Sequence, residues 1–429
     1  MADGRSPPAH GVRAAHPGLF ARIGMVLAVV GPGIITANVD NDAGGIATYS
    51  QAGAMFGYSM LWTLVPITLA LILVQEMCAR MGVVTGKGLA DLIRERFGVK
   101  ATVYVMLAFL VANLGTVMAE FAGVAQAMEI FGASRYVSVP LAAMGVWALV
   151  VKGTAKTVER VFLVACLFYV SYIVSGVMAG PDWGEALRAT VRPTVRLETS
   201  FLVMLVTLVG TTISPWMQFY LQSSVVEKGV RLDEYPLSRL DVVVGCIVTD
   251  VVSFFIILAC GATIFRAGAG TSIETASDAA VALVPLAGKY AGWLFAFGLL
   301  NASLFAASIL PLSTAFYICE GLGWETGVDK RFSEAPQFYW LFTFIMALGA
   351  GLVLLPGLPL LKIMIVSQTV NGVLLPFILV FMLLLAGDGR LMGRYRNGPV
   401  LSAVAWATVG VLVVLTVAML VFIARDALR

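Results

Sequence analysis

The chain has 429 residues, of which 59% are hydrophobic and only 12% charged, and its mean hydropathy is +0.92. A soluble domain carries about 25% charged residues, so a water-facing fold is excluded, and so is disorder, which needs the opposite balance. The net charge of +3 gives no basis for a nucleic-acid partner; the solvent is a lipid bilayer.

Residues 1–18 are rich in Pro, Gly and Ala and read as a disordered cytoplasmic tail. It holds His10 and His16, the only histidines, so no imidazole is available in the membrane. The apolar run after Arg22 lacks an A-x-A cleavage site and leads into the body of the chain, so it reads as a first span and not a signal peptide. A spanning helix needs about 20 apolar residues. Eleven segments meet that length: 20–54, 58–82, 100–131, 136–151, 157–180, 199–226, 240–265, 279–319, 336–355, 359–386 and 399–424. Segments one, three, six and eight are too long for one straight crossing and are expected to be tilted, broken or extended beyond the bilayer.

Lys/Arg asymmetry sets the orientation. With the N-terminus inside, the cytoplasm receives most of the 28 basic residues, including Arg80, Lys87, Arg94, Arg96, Lys228, Arg231, Arg390, Arg394 and Arg396. The C-terminus is then outside. Cys78, Cys166, Cys246, Cys260 and Cys319 lie in or beside apolar segments without CxxC spacing, and read as small packed hydrophobes.

Two segments are interrupted. Segment one carries Gly31-Pro32-Gly33 and then Asn38-Val39-Asp40-Asn41-Asp42-Ala43-Gly44-Gly45. Two carboxylates and two amides inside a span are costly unless they face a cavity, and Gly44-Gly45 lets the backbone leave the helix there. Segment six carries Gly210-Thr211-Thr212-Ile213-Ser214-Pro215. Pro215 has no N–H, so the Thr211 carbonyl is expected to lack its helical donor. Irregular backbone at membrane depth is tolerated only where it lines a site or water.

The interruptions fall on equivalent members of two five-helix halves, the pattern of a transporter site at the interface of inverted repeats. The expected division is a first repeat over 19–180, an extracellular connection over 181–198, a second repeat over 199–386 and an additional helix over 387–429. In both interrupted segments the first half-helix ends with its carbonyls at the midplane, presenting the negative end of its dipole. With Asp42 added, and Asp40 if it points inward, the gap attracts a cation. Candidate ligands are the Asp42 carboxylate, the Thr211 carbonyl, the Ser214 hydroxyl and amides from Asn38 or Asn41. Gln368 and Asn371, three apart in segment ten, are further candidates. An all-oxygen set suits Mg²⁺, Ca²⁺ or Mn²⁺ better than copper or zinc, and Gly44 and Gly45 are expected to clear room for ion-bound water.

These motifs resemble the natural resistance-associated macrophage protein (NRAMP) family of divalent-metal transporters. GPGIITANVDNDAGGIATYSQAGA, from Gly31, resembles that family's GPG…DPGN…AGA segment, and GTTISPWMQFYLQSS, from Gly210, resembles its GATVMPHN…HS segment. The resemblance implies an all-α membrane protein of leucine-transporter type, with eleven transmembrane helices in a five-plus-five inverted repeat. The ion would be bound between unwound helices one and six. It places the family's aspartate on Asp42 and its carbonyl ligand on Thr211. Its asparagine ligand falls on Gly45, its methionine on Ser214 and its histidine on Trp216. Its proton-pathway acids fall on Glu120 and Gly123, and segment nine contains no arginine. These departures resemble the family's magnesium-transporting branch, which moves Mg²⁺ and Mn²⁺ without evident proton coupling.

The reading is therefore a carrier of divalent ions, Mg²⁺ with Mn²⁺, working by alternating access, with no cofactor and no enzymatic activity. Its metal ligands come from Asp42, Thr211, Ser214, Asn41, Gln368 and the Gly45 position, and Asn38, Asp40, Trp216, Asn371 and Glu120 line the cavity. Glu120 either carries a proton or is a buried structural acid. Asp250 in segment seven is expected to hydrogen-bond within the bundle. The alternatives are a proton-coupled Mn²⁺/Fe²⁺ importer and a sodium-coupled amino-acid symporter of the same architecture. Partners are the ion and the bilayer, the expected location is the plasma membrane of a prokaryote, and the oligomeric state is open, a monomer being compatible with the sequence.

Overall fold

Uncharged runs of Leu, Val, Ala and Phe satisfy their own backbone groups as helices, because hydrocarbon offers no partner. The computed structural model describes residues 32–152, 169–268, 272–328 and 330–428, and all its regular elements are helical. The expected tail, the start of segment one and most of the first half of segment five, with Cys166, lie outside the described residues.

In chain order, α1 is Pro32–Val39 and α2 is Ala43–Phe56; a 3-10 turn over Gly57–Thr63 leads into α3, Leu64–Thr85. Then come α4, Leu89–Ile130, bent at Gly98, where φ is 83°; α5, Arg135–Lys152; α6, Val170–Met178; and α7, Trp183–Val191. The second half has α8, Thr199–Thr212; α9, Pro215–Glu227; α10, Tyr235–Cys260; α11, Ala291–Leu322; α12, Pro336–Val353; α13, Leu360–Gly387; and α14, Pro399–Ala427. Among the described residues, nine continuous helical stretches are long and apolar enough to cross a membrane. One of them, Ala43–Thr85, joins the second half of segment one to segment two without a non-helical loop.

Each over-long segment has its own explanation. Segment one is broken between α1 and α2, and segment six between α8 and α9. Segment three continues past its expected start as the amphipathic beginning of α4. The expected start of segment eight instead folds as short helical turns over 276–290, where Pro285 and Gly288 prevent one continuous helix.

The interior is made by α11 and α13 each packing on α4, with α8 against α13 and α10 against α1, α2 and α3. Small residues set the closest approach. A Cβ on Gly210 would overlap the Gln368 carbonyl and the Gly372 amide, and one on Gly372 would overlap the Val206 carbonyl. Backbone therefore lies directly on backbone between α8 and α13. The outward faces are apolar; Val411, Val414 and Val421 of α14 stand exposed, as a hydrocarbon-facing helix requires. At one end of the bundle, Arg80 forms an ion pair with Glu76 at 3.2 Å and donates to the Tyr395 carbonyl and to Asn397 Oδ1 at 2.7 and 2.6 Å. Tyr235 donates to the same Glu76, tying the start of α10 to α3.

Candidate functional site: two helix breaks that meet

The first break spans residues 40–42. α1 ends at Val39, and Asp42 is the N-cap of α2, its Oδ1 accepting from the Gly45 amide at 2.6 Å. A carboxylate at this position satisfies an amide that helix geometry leaves without a partner. The neighbouring Ala43 amide is taken by a second acid, Glu120 of α4, whose Oε2 accepts at 3.2 Å. The Asp42 and Glu120 carboxyls adjoin each other, both buried, at 3% and 0% exposure. The positive end of α2 offsets part of their mutual repulsion.

This geometry revises the expected position of the break. Gly44 and Gly45 lie inside the first turn of α2 and do not release the backbone. They are small because neighbours press on them: a Cβ on Gly44 would overlap Gln368 Nε2, and one on Gly45 would approach the Asp40 carbonyl at 2.5 Å. The space expected for water at Gly44 is filled by Gln368. Gly123, where the resemblance puts a second acid, has the same logic, since a Cβ there would strike Ala43 and Ser303.

The second break lies at Ile213–Ser214, between the end of α8 and Pro215, the first residue of α9. Proline at that position needs no amide partner. The Thr211 carbonyl loses its helical donor as expected, but it does not stay free. The Ser214 hydroxyl donates to it at 3.1 Å and to the Gly210 carbonyl at 2.8 Å. The oxygen left without a partner is the Thr211 hydroxyl, buried at 1% exposure.

The two breaks meet at Gly45. A Cβ there would stand 3.4 Å from Asp42 Oδ1 and 3.5 Å from Thr211 Oγ1. The carboxylate of one broken helix and the hydroxyl of the other thus both lie beside Gly45, where the Asp40 carbonyl leaves no room for a side chain. A further bridge joins the helices: the Tyr49 hydroxyl of α2 and Thr212 Oγ1 of α8 are 2.8 Å apart, both fully buried. Tyr49 was not among the expected residues; its only sequence signal is a polar tip in an apolar stretch.

The structure distributes the other expected residues around this point unevenly. Gln368 is fully buried; its Nε2 lies beside Gly44 without a hydrogen-bond partner, and its Oε1 accepts from Asn371 Nδ2 at 3.1 Å. Asn371 also donates to Thr116 Oγ1 at 3.2 Å, so α4 and α13 together turn the nitrogen of Gln368, not its oxygen, toward Gly44. Asn41 faces the other way. Its Nδ2 donates to the Thr249 carbonyl at 3.4 Å, its Oδ1 accepts from Ser253 at 3.2 Å, and its carbonyl accepts from the Tyr169 hydroxyl at 2.9 Å. A direct metal bond from Asn41 would have to break its hold on α10. Asp40 faces α10 too, with Asp250 the carboxylate that acts on it most strongly. Asp250, expected to hydrogen-bond within the bundle, has the Thr68 hydroxyl of α3 beside it, but that hydroxyl donates to the Leu64 carbonyl at 2.7 Å, and neither Asp250 oxygen accepts a bond of good geometry.

Trp216 is buried in the first turn of α9, its ring 6.2 Å from that of Tyr220 and its carbonyl accepting from Ser313 at 3.1 Å. Asn38 falls in the last turn of α1, its side chain outside the described part of the structure. Among the described residues, no three His, Cys, Asp or Glu side chains converge as a metal-binding group. An ion beside Asp42 would therefore complete its shell from hydroxyl and carbonyl oxygens and water.

An all-helical, multi-pass membrane protein with two broken helices meeting at a buried aspartate is the class that fold and site define. Over residues 33–422 the chain matches the family model described as natural resistance-associated macrophage protein-like. The chain belongs to that family. It is 29% identical over 405 residues, covering 92% of this chain and 96% of the relative, to the divalent metal cation transporter MntH of Aeromonas hydrophila subsp. hydrophila. Its fold is similar to that of the manganese transporter of Eremococcus coleocola, with a TM-score of 0.74 at 20% identity over 95% of this chain and 88% of the other. A more distant likeness is to Mhp1, a nucleobase-cation-symport-1 family transporter, with a TM-score of 0.54 at 14% identity over 91% of each chain. These likenesses give the leucine-transporter-type fold that the family resemblance implied.

Proposed function

We propose that the chain is a carrier of divalent metal ions, with Mg²⁺ the preferred cargo and Mn²⁺ also carried, working by alternating access and without proton coupling. The observation that carries this reading is the pairing of Asp42 Oδ1 with the unpartnered Thr211 hydroxyl beside Gly45. Asp42 supplies the formal charge and Thr211 an oxygen. Ser214 stands where a methionine thioether stands in the family's motif, so no sulfur competes for a soft ion. Gln368 fills the space beside Gly44, Asn41 anchors the break to α10, and Trp216 walls the site. An ion that keeps several waters suits a site with one or two carboxylates. The relatives' names, a divalent metal cation transporter and a manganese transporter, agree with the general class of cargo. The excess of Lys and Arg in the loops assigned to the inside supports an N-terminus in the cytoplasm of a prokaryotic cell.

A second reading, a proton-coupled Mn²⁺/Fe²⁺ importer, draws on Glu120, whose carboxyl adjoins Asp42 and holds the Ala43 amide. A sodium-coupled amino-acid symporter needs a half-helix N-terminus open to the substrate carboxylate. Here the Ala43 and Gly45 amides of α2 are already taken by Glu120 and Asp42. Isothermal titration of the purified chain tests the main reading: Mg²⁺ binds, and Asp42→Ala loses the heat of the ion held at that residue. Tight Cd²⁺ binding with no response to Mg²⁺ would overturn it.

A further inference from the structure

The first break has a second face, which the Asp42 site does not use. Asp40 is 2% exposed and Asp250 of α10 is 5% exposed, and none of their four carboxylate oxygens has a hydrogen-bond partner. Among the side chains acting on Asp40, Asp250 comes ahead of Asp42. Tyr49 of α2 and Cys246 of α10 lie within the field of the same two carboxylates, on the two helices that flank the pair. No basic side chain is among the groups acting on either carboxylate.

The arrangement is fixed, not incidental. Thr249 and Ser253, on either side of Asp250 along α10, grip Asn41, and Thr249 Oγ1 donates to the Ala37 carbonyl at 2.5 Å. These bonds set the register in which residue 40 faces residue 250. Two buried carboxylates without donors or a basic partner are a costly arrangement. It persists in folded proteins where a cation, or a proton, sits between them. Hydroxyls border the pair: Tyr49, which bonds Thr212, and Ser253. Oxygen-rich surroundings with two carboxylates match a divalent ion that keeps part of its water.

We propose that Asp40 and Asp250 form a second divalent-cation station between the first helix break and α10, separate from the Asp42 gap. The proposal rests on the reading of the chain as a divalent-cation carrier. An ion leaving or approaching Asp42 would find another carboxylate two residues away, on the opposite side of the same break. A station of this kind lets a permeating ion move between adjacent weak sites instead of leaving one strong one.

Mn²⁺ is the probe, counted by the loss of its free electron paramagnetic resonance signal as it binds the full chain in detergent. Wild type is expected to bind about two ions per chain, with the bound Mn²⁺ confined to oxygen-rich sites. Asp40→Asn and Asp250→Asn each bind about one, held at Asp42, and Asp42→Ala binds about one, held at the pair, under the same oxygen-ligand chemistry. The asparagine variants are nearly isosteric and remove like-charge repulsion. Their metal-free melting temperature therefore equals or exceeds wild type, while the rise caused by Mg²⁺ shrinks. The proposal is overturned if both asparagine variants bind as many Mn²⁺ ions as wild type, or if wild type binds a single ion that Asp42→Ala abolishes. That last result leaves the carrier reading standing; a wild type that binds no divalent ion removes both.

Discussion

The Ser214 hydroxyl donates to the Thr211 carbonyl at 3.1 Å, so two residues placed as separate ligands in the sequence are bonded to each other across the second break. Pro215 removes the amide that would have served Thr211, and the residue just before the proline replaces it. Ser214→Ala then leaves a buried carbonyl without its donor. We expect a loss of about 1–3 kcal/mol of stability, seen as a lower melting temperature, with Mg²⁺ binding weakened only modestly. Ser214→Met tests ion choice at the same position. A thioether in place of the hydroxyl should raise Cd²⁺ affinity relative to Mg²⁺, measured by competition calorimetry.

Asp42 has two tasks that substitution can separate. Asparagine is as good an N-cap as aspartate, so Asp42→Asn should keep the bond from the Gly45 amide and a melting temperature near wild type. It removes the formal charge that Asp42 brings to the meeting of the two breaks, so the divalent ion held there should be lost, leaving only the one assigned to Asp40 and Asp250. Asp42→Ala loses both the ion and the cap, with about 1 kcal/mol of stability lost in addition. An Asp42→Asn variant that binds as many ions as wild type would detach the site from this residue.

Glu120→Gln leaves an oxygen that can still accept from the Ala43 amide, so the start of α2 stays satisfied. Without proton coupling, uptake of Mg²⁺ should continue in this variant at a rate within a few-fold of wild type, since no charge-transfer step is lost. Under the proton-coupled reading transport stops. Initial rates in proteoliposomes distinguish the two.

Two glycine contacts predict opposite outcomes. At Gly210 an added Cβ meets the backbone of α13, which cannot yield. Gly210→Ala should cost about 1–3 kcal/mol or more by overpacking and lower the yield of folded protein. At Gly44 the added Cβ meets the flexible end of Gln368. Gly44→Ala should leave the melting temperature close to wild type and impair ion binding by displacing that amide.

Much of this was legible in the sequence because a bilayer makes polar residues conspicuous. Asp42, Thr211 and Gln368 stand out within apolar segments, and the structure brings them together. The departures have physical causes that a linear sequence hides. Gly44-Gly45 reads equally as a place to leave a helix and as a place to pack against one, and only the position of Gln368 decides between them. The capping of Thr211 by Ser214 depends on a side-chain rotamer. The meeting of Asp40 with Asp250 joins residues 210 apart in number, through a register set by Asn41, Thr249 and Ser253. The division of segment eight into short turns over 276–290 and α11 depends on where Pro285 and Gly288 interrupt an otherwise continuous helical stretch.

The most direct test loads proteoliposomes containing the full chain with dyes for Mg²⁺, Mn²⁺ and pH, and compares wild type with Asp42→Asn. The account predicts that wild type carries Mg²⁺ and Mn²⁺ inward at a rate that saturates with concentration, that the pH dye stays silent, and that the variant carries neither ion. Acidification of the lumen in step with ion entry, or undiminished uptake by the variant, would contradict it.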